Sequence, residues 1–207
     1  MSLLHLPFTD LLRAFRSREP TPGGGSASAL SGAVGAALLA MVAGLPKPRV
    51  RDEEEAHRLI AAGTRAAAIS DQLAALMDRD SEAYDLVVAA FRLPKGSEDE
   101  ARGRGARIQD ALRSATEAPL EVMRACHEAL LLAAVVAAHG NRNASSDVQV
   151  AVELLRAGLR GAKLNVDVNL ASIADKEFAG SVRTEAERLI VQGEPRASAA
   201  GPSGSAG

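Results

Sequence analysis

The sequence predicts an all-α fold, a single-domain bundle of long up-and-down helices. Hydrophobic residues make up 47% of the 207 residues, but aromatic residues only 2%, so the core must be built mainly from Ala, Leu, Val and Ile. Apolar residues recur at helical spacing through most of the chain, and alternating strand patterns are nearly absent. A chain of this length can bury a sizeable core within one domain.

Charge and cysteine content narrow the class of protein. The net charge is -2, and the Arg residues are interleaved with Asp and Glu, so nothing indicates a nucleic-acid partner. The single cysteine, Cys126, excludes an internal disulfide framework and fits a reducing, cytoplasmic location. The N-terminus "MSLLHLPFTD" lacks the features of a signal peptide. The four histidines have no ligand-like spacing, so we expect no metal site.

The first long helix is predicted from about Gly25 to Leu45. It lies in the stretch "EPTPGGGSASALSGAVGAALLAMVAGLPKP", which carries no charge from Pro20 to Pro46. Pro20 and Pro22 favour an extended lead-in, and Ser26 is the predicted cap. Gly23 to Gly25 permit φ values closed to other residues and let another group approach the backbone. The purely structural interpretation is a tight turn that leads into a buried helix.

Two other interpretations of this stretch are weaker. It is long enough to span a bilayer, but it is rich in Gly, Ser and Ala, and no comparable second span exists. Its small residues recur every four positions, which suits tight helix contact in a membrane or in a soluble core. A Walker phosphate loop would need a Lys, which "PGGGSASA" lacks, and no strand precedes it. We therefore expect a core helix and no membrane partner.

The other helices are placed by capping signals and helical periodicity. Thr9 is the predicted cap of a short first helix. Three later helices are predicted to start at Asp52 with Glu55, at Ser97 with Glu100 and at Ser146 with Gln149. One helix is predicted to end at Pro94, and a kink or break is expected at Pro119. "SEAYDLVVAAFRL" is expected to follow the long helix that ends near "DRD", and "DKEFAGSVRTEAERLIVQ" is the last helix. Residues 194–207 are rich in Gly, Ala, Ser and Pro and are expected to form a disordered tail after a domain of residues 1–193.

Several polar residues sit oddly among apolar neighbours. Asp80 and Tyr84 are four residues apart and share one helix face, although Asp80 can also be explained as a cap. Asn165 and Asn169 form a second such pair, which is costly to bury unless its amides are paired or line a polar cavity. The remaining candidates are Arg92 and Lys95 at the end of the Tyr84 helix, and Asn143 and Asp147 at the start of another.

The sequence resembles the cyclodeaminase/cyclohydrolase family. The resemblance is carried by "PTPGGGSASALSGAVGAALLAMVAGL", "DRDSEAYDLVVAAFRLPK", "EAPLEVMRACHEAL" and "GNRNASSDVQVAVELLRAGLRGAKLNVDVNLASIADKEF", in this order. The family includes the C-terminal half of formiminotransferase-cyclodeaminase and stand-alone bacterial methenyltetrahydrofolate cyclohydrolases. The resemblance implies a homodimer of long helices with a folate site near the dimer interface. After "MVAGL" the family tends to carry a Lys- and Tyr-containing loop, where this chain has "PKPRVRDEEEA".

The implied reaction converts 5-formimidoyltetrahydrofolate to 5,10-methenyltetrahydrofolate and ammonia. The alternative is hydrolysis of 5,10-methenyltetrahydrofolate to 10-formyltetrahydrofolate, and the alternative of another class is a non-catalytic ligand-binding or adaptor dimer. A tetrahydrofolate derivative is the expected substrate, and no cofactor is expected. Convergence of the Asp80/Tyr84 and Asn165/Asn169 pairs in one cleft would favour the enzyme.

Each candidate residue then receives an implied role. Asp80 or Asp147 would remove a proton and stabilise a cation, and Tyr84 or Lys95 would relay a proton. Arg92 or Lys95 would alternatively hold the glutamate tail. The substrate-binding candidates are Pro22, Gly23, Gly24, Gly25, Ser26, Arg92, Lys95, Asn143, Asn165 and Asn169.

Overall fold

The structure, a computed structural model, describes residues 2–46 and 52–199 of the chain. Within these residues the regular elements are all helical, so the all-α prediction is confirmed. The α-helices are α1 (Phe8–Phe15), α2 (Gly24–Gly44), α3 (Glu53–Phe91), α4 (Glu98–His139), α5 (Ser145–Leu170) and α6 (Lys176–Ala199). Two short 3-10 helices, Leu3–His5 and Arg142–Ala144, precede α1 and α5.

Helices α2 to α5 form an up-and-down bundle. Helix α2 packs between α3 and α5, α4 completes the bundle on the far side, and α6 covers α4 and α5. One hydrophobic core joins side chains from all six helices, with Leu39, Leu73, Leu130 and Leu155 fully buried. This core is aliphatic, as the low aromatic content predicts.

Helix α2 approaches its neighbours at distances that only small residues allow. A Cβ atom on Gly35 would lie 2.8 Å from the Ala151 carbonyl oxygen of α5, and one on Gly158 would lie 2.9 Å from the Ser28 carbonyl oxygen of α2. The small-residue stripe therefore serves tight helix contact. Among the described helices, α2 is the one long and apolar enough to cross a membrane, but half of its most apolar window is buried in this bundle.

Three of the predicted caps are wrong. Helix α1 begins at Phe8 and α5 at Ser145, so Thr9 and Ser146 lie within the first turns of their helices and do not cap them. Helix α2 begins at Gly24, with Gly23 at the cap position and no side chain bonded to the first turn. The Ser26 hydroxyl bonds to α3 instead, because α3 packs against the start of α2.

Two predicted caps are present. Asp52 caps α3 and accepts a hydrogen bond from the Glu54 backbone N–H at 3.0 Å. Ser97 and Glu100 form a full capping box at the start of α4, in which each side chain accepts from the backbone of the other residue. Asp52 and Ser97 are both exposed, so no group on another helix competes with water for these local hydrogen bonds.

Two helices are longer than the sequence predicts. Residues 53–91 form the single helix α3, so Asp80 lies in its interior rather than at a cap. Helix α4 runs through Pro119 without a break. Proline lacks the N–H that would bond to the carbonyl four residues earlier, at Ala115. The Asn169 side chain of α5 donates to that carbonyl at 2.6 Å, so tertiary packing satisfies the group that proline leaves open.

The last helix extends past residue 193. Helix α6 continues to Ala199, six residues beyond the predicted end of the domain. Residues 200–207 lie outside the described residues, as does the segment 47–51 that holds most of "PKPRVR". The division of the chain at residue 193 stays a prediction.

Candidate active site at the start of α2

The Asp80 carboxylate lies against the first turn of α2. Its Oδ2 accepts a hydrogen bond of 2.9 Å from the Ser26 hydroxyl. A Cβ atom on Gly25 would lie 2.5 Å from Asp80 Cγ, so the carboxylate occupies the space that a side chain at residue 25 would need. The absence of a side chain at Gly25 is what lets Asp80 reach the helix start. Asp80 and the glycine turn therefore converge, as the sequence predicts.

Of the two predicted reasons for the glycines, close approach to the backbone applies and an unusual φ value does not. None of Gly23, Gly24 and Gly25 has a φ value in the left-handed region, so the turn does not require glycine for its backbone conformation. Gly25 is required for space beside Asp80. Gly24 is exposed, and a Cβ atom there would lie 3.6 Å from Asn165 Nδ2, which is an ordinary contact distance. The fold itself thus tolerates a side chain at residue 24.

Ser26 is fully buried and joins α2 to α3. Besides the Asp80 carboxylate, its hydroxyl has the Met77 carbonyl oxygen at 3.1 Å and the Ser81 hydroxyl at 3.3 Å. Ser81 is a site residue that the sequence reasoning missed. The signal that points to it is spacing, because residues 77, 80, 81 and 84 of one helix share a face.

Burial raises the pKa of Asp80 above its ordinary value. The side chain and the backbone amide of Ser26 both act in the opposite direction and lower that pKa. The shift of the Asp80 pKa thus arises from burial and from two hydrogen bonds to Ser26, and not from a neighbouring charge. A carboxyl group whose pKa is raised by burial next to a cleft is a candidate for acid–base chemistry.

A polar cavity of about 270 Å³ adjoins this cluster. Its wall includes Pro22 and Ser81, together with three acidic residues of α3, Asp78, Glu82 and Asp85. Asp78 also accepts a hydrogen bond of 2.5 Å from the Ser2 hydroxyl. These carboxylates make this side of the site negative, which disfavours binding of an anionic tail here.

The predicted cationic residues lie away from Asp80. Tyr84 is one helical turn beyond Asp80 and is 41% exposed, so it stands at the edge of the site. Arg92 and Lys95 are exposed in the connection between α3 and α4. Arg92 lies twelve residues after Asp80, roughly 18 Å along the helix. In the part of the chain that the structure describes, Arg92 and Lys95 therefore lie away from Asp80.

The two asparagines of α5 have different surroundings. Asn165 faces the site, since its amide is the nearest group to a Cβ atom placed on Gly24. It donates to the Gly161 carbonyl oxygen at 2.9 Å within its own helix. The amide nitrogen of Asn169 is used by the Ala115 carbonyl of α4, as described above. The structure therefore brings Asn165 to the site and gives Asn169 a role in joining two helices.

Asn143 and Asp147 lie at the opposite end of the bundle. Asp147 is in the first turn of α5, and Asn165 lies eighteen residues later, which is about 27 Å along a helix. Asn143 lies in the 3-10 helix that precedes α5. This 3-10 helix is next to the end of α2, since the Asn141 side chain donates to the Pro46 carbonyl oxygen. Within one chain neither residue converges with Asp80, because α2 and α5 run in opposite directions. A helical sequence pattern does not reveal which ends of two helices meet.

The fold and the site define an all-α protein with a carboxylate-centred site between three helices. A sequence profile described as formiminotransferase-cyclodeaminase matches residues 7–188. The methenyltetrahydrofolate cyclohydrolase of Methylorubrum extorquens is 41% identical over 181 residues, which cover 87% of each protein. The chain belongs to the formiminotransferase-cyclodeaminase family, and the family predicted from the sequence is confirmed.

Other relatives extend the comparison. The formimidoyltransferase-cyclodeaminase of Sus scrofa is 33% identical over 95% of this chain, but this match spans only 36% of that longer protein. The crystal structure of the formiminotetrahydrofolate cyclodeaminase from Thermotoga maritima superimposes with a TM-score of 0.80 and 29% identity. That comparison covers 95% of this chain and 94% of the other. The chain is therefore similar to proteins named for both of the folate reactions considered above.

We predict that Asn169→Ala destabilises the protein because it leaves the Ala115 carbonyl without a donor. The expected loss in the free energy of unfolding is about 1–3 kcal/mol. In a Pro119→Ala background the new backbone N–H can bond to Ala115, so the same Asn169→Ala change should cost much less. Urea denaturation of the four proteins measures this coupling. Equal costs in both backgrounds would show that Asn169 stabilises the protein through another contact.

We predict that Asp80→Asn stabilises the folded protein at neutral pH. Burial raises the folded-state pKa of Asp80, so folding disfavours its ionised form. The folded state therefore binds this proton more tightly, and stability falls as pH rises from the unfolded pKa of about 3.9 through the folded-state pKa. Asp80→Asn has no ionisable group at this position, so its stability does not fall for this reason as pH rises. The difference in free energy of unfolding should vanish below the unfolded pKa, which denaturation at several pH values tests. A constant difference at all pH values contradicts it.

Proposed function

We propose that this protein hydrolyses 5,10-methenyltetrahydrofolate to 10-formyltetrahydrofolate. The observation that supports this reaction most strongly is the 41% identity to the Methylorubrum cyclohydrolase, over 87% of both chains. The site supplies a matching chemical group, the half-buried Asp80 carboxylate beside an exposed glycine backbone. The reaction requires one group that first accepts a proton and then returns it.

In the proposed mechanism Asp80 takes a proton from a water molecule as the water oxygen bonds to the methenyl carbon. The cation becomes a neutral carbinolamine that bridges N5 and N10. Asp80 then returns its proton to N5 as the bond between N5 and that carbon breaks. The remaining hydroxyl proton leaves to solvent as the formyl C=O forms on N10. One water is consumed and one proton is released, and the carboxylate is regenerated.

The surrounding residues would orient the folate. Gly24 presents exposed backbone at the start of α2, where the first N–H groups of a helix have no intrahelical acceptor. The Asn165 amide faces the same point from α5. The acidic wall beside Pro22 favours the cationic ring over the anionic glutamate tail. We propose that the tail points away from this wall, towards solvent or a second copy of the chain.

The second candidate reaction is the deamination of 5-formimidoyltetrahydrofolate. The similarity to the Thermotoga cyclodeaminase over nearly both whole chains favours it. There N10 would attack the formimidoyl carbon, Asp80 would take the N10 proton, and protonation of the imino nitrogen would release ammonia. Overall one proton is consumed and the methenyl cation is formed. The two reactions share the methenyl compound, as substrate in one and as product in the other.

We predict that the protein consumes 5,10-methenyltetrahydrofolate, measured as loss of its near-ultraviolet absorbance. A parallel assay with 5-formimidoyltetrahydrofolate measures gain of the same absorbance. Asp80→Asn should lower kcat by about 10²- to 10⁴-fold, which is the range for loss of a general acid–base group. Turnover of only the formimidoyl substrate would select the second candidate, and turnover of neither would contradict both.

Matched variants make this assay specific for the site. Asp71→Asn changes the same residue type at an exposed position of the same helix and should leave turnover unchanged. Gly24→Val should reduce turnover without a large loss of stability, since the fold has room for a side chain there. Asp147→Asn tests whether the carboxylate at the opposite end of the bundle contributes to turnover. Full activity of Asp80→Asn with loss in Asp147→Asn would move the acid–base role to Asp147.

We also propose that the protein is a cytoplasmic homodimer that pairs through α2 and α5. The outer face of α2 is apolar, with Ala27, Val34, Ala37 and Met41 exposed. The neighbouring edge of α5 adds Val150, Ala157, Leu164 and Val168. Because α2 contains no charged residue, its exposed side is as apolar as its buried side. Such an exposed apolar face is typical of a protein interface.

We predict a dimeric mass by light scattering at micromolar concentration without detergent. Val34→Glu or Val168→Glu should weaken the dimer, because each places a charge in the apolar face. Val191→Glu on α6 is the matched control, since Val191 is an exposed valine outside this face. A monomeric wild-type protein would contradict the dimer. Equal effects of all three changes would place the interface elsewhere.

A further inference from the structure

The hydroxyl of Ser26 has two acceptors of different kinds. One is Oδ2 of Asp80, at 2.9 Å, which changes its protonation state in acid–base chemistry. The other is the Met77 carbonyl oxygen, at 3.1 Å, which does not titrate. A serine hydroxyl carries one hydrogen and rotates freely about its C–O bond, so it donates to one of these acceptors at a time. It can also accept a hydrogen bond while it donates.

We propose that Ser26 is a positioning residue that keeps Asp80 competent both as a base and as an acid within one turnover. When Asp80 is ionised, Ser26 donates to Oδ2. When Oδ2 carries the proton, Ser26 rotates to donate to the Met77 carbonyl and accepts the hydrogen bond from Asp80. The carboxyl group is thus held in one place in both states. This inference rests on the proposed function, in which Asp80 both accepts and returns a proton.

The packing around Ser26 supports this role. Ser26 is fully buried, so water does not replace either partner. The carboxylate occupies the space that a Cβ atom on Gly25 would need, so it packs directly against the backbone of α2. Ser81, at 3.3 Å from the Ser26 hydroxyl oxygen, is a further hydroxyl that can reorient with it. A serine that only joined two helices would need a single acceptor.

The charged groups nearest to Asp80 either bond to other residues or lie on the exposed side of α3. Helix α2 carries no titratable residue, and α5 presents the neutral amide of Asn165. On α3 itself, Asp78 accepts hydrogen bonds from Ser2 and Leu3, and Arg79 pairs with Glu121 of α4. Tyr84, Glu82 and Asp85 lie on the exposed side of α3. Ser26 is therefore the group through which the fold acts most directly on the protonation of Asp80.

The test is the pH dependence of kcat/KM for methenyltetrahydrofolate hydrolysis. In Ser26→Ala the carboxylate loses a donor, so its pKa rises and the acidic limb should move to higher pH. The rate at neutral pH should fall about tenfold to a hundredfold, the range for losing a hydrogen bond to a charged group. Ser26→Thr keeps the hydroxyl and should restore the wild-type limb.

Ser28→Ala is the matched control. Ser28 is also a buried serine of α2, but its hydroxyl donates to the Gly24 carbonyl oxygen, within its own helix. The acidic limb should stay in place in this variant, even if stability falls. An unmoved limb in Ser26→Ala, or the same shift in both variants, would overturn the proposal. If Ser26→Ala does not fold, Ser26→Cys replaces it, because the thiol is a weaker donor and should move the limb in the same direction.

A second measurement separates this inference from the proposed function. The infrared C=O band of protonated Asp80, identified by its loss in Asp80→Asn, reports the titration of this group without any substrate. Its midpoint should move to higher pH in Ser26→Ala and stay in place in Ser28→Ala. A protein that turns over neither folate but shows this shift would refute the proposed function alone. Folate turnover with no shift would refute the role of Ser26 alone.

Discussion

The close contact of α2 with α3 and α5 is the constraint on which the rest of the structure depends. A charge-free helix can lie between two others only if its glycines and alanines let the backbones approach, as at Gly35 beside Ala151 and at Gly158 beside Ser28. Each approach leaves too little space for a larger side chain. The same contact fixes where the two ends of α2 meet its neighbours, and the site lies at one of these ends.

At that end, the packing places the carboxylate of Asp80, a residue of α3, against the first turn of α2. Asp80 reaches the α2 backbone because Gly25 has no side chain, and Ser26 bonds to Asp80 instead of capping its own helix. Burial disfavours the ionised carboxylate, while the serine partly offsets that cost. The pKa of this carboxyl group is therefore set by two opposing effects of the fold. This property suits a reaction in which a proton is first accepted and then returned.

The bundle also shows how long helices tolerate local defects. Pro119 removes one backbone donor from α4, and the Asn169 amide of α5 supplies the replacement. The two asparagines of α5 therefore differ in role. Asn165 lies at the site, and Asn169 supplies the hydrogen bond that the Ala115 carbonyl would otherwise lack. The outer face of α2 shows the opposite situation, since its apolar residues are exposed in the part of the chain that the structure describes. The proposed dimer would cover this face.

The sequence by itself determined the family, the helical fold and the long buried helix after the glycines, and the family resemblance led to the prediction that this turn shares a pocket with Asp80. Periodicity, capping boxes and the glycine-rich block are local signals, and a local signal survives in any packing. Only the tertiary structure decided that Ser26 bonds across to α3, that α4 passes through Pro119 and that Asp147 lies about 27 Å from Asn165 along α5. These outcomes depend on which helix ends and faces meet, because a partner on another helix can satisfy a backbone group or recruit a side chain that the local sequence assigns elsewhere.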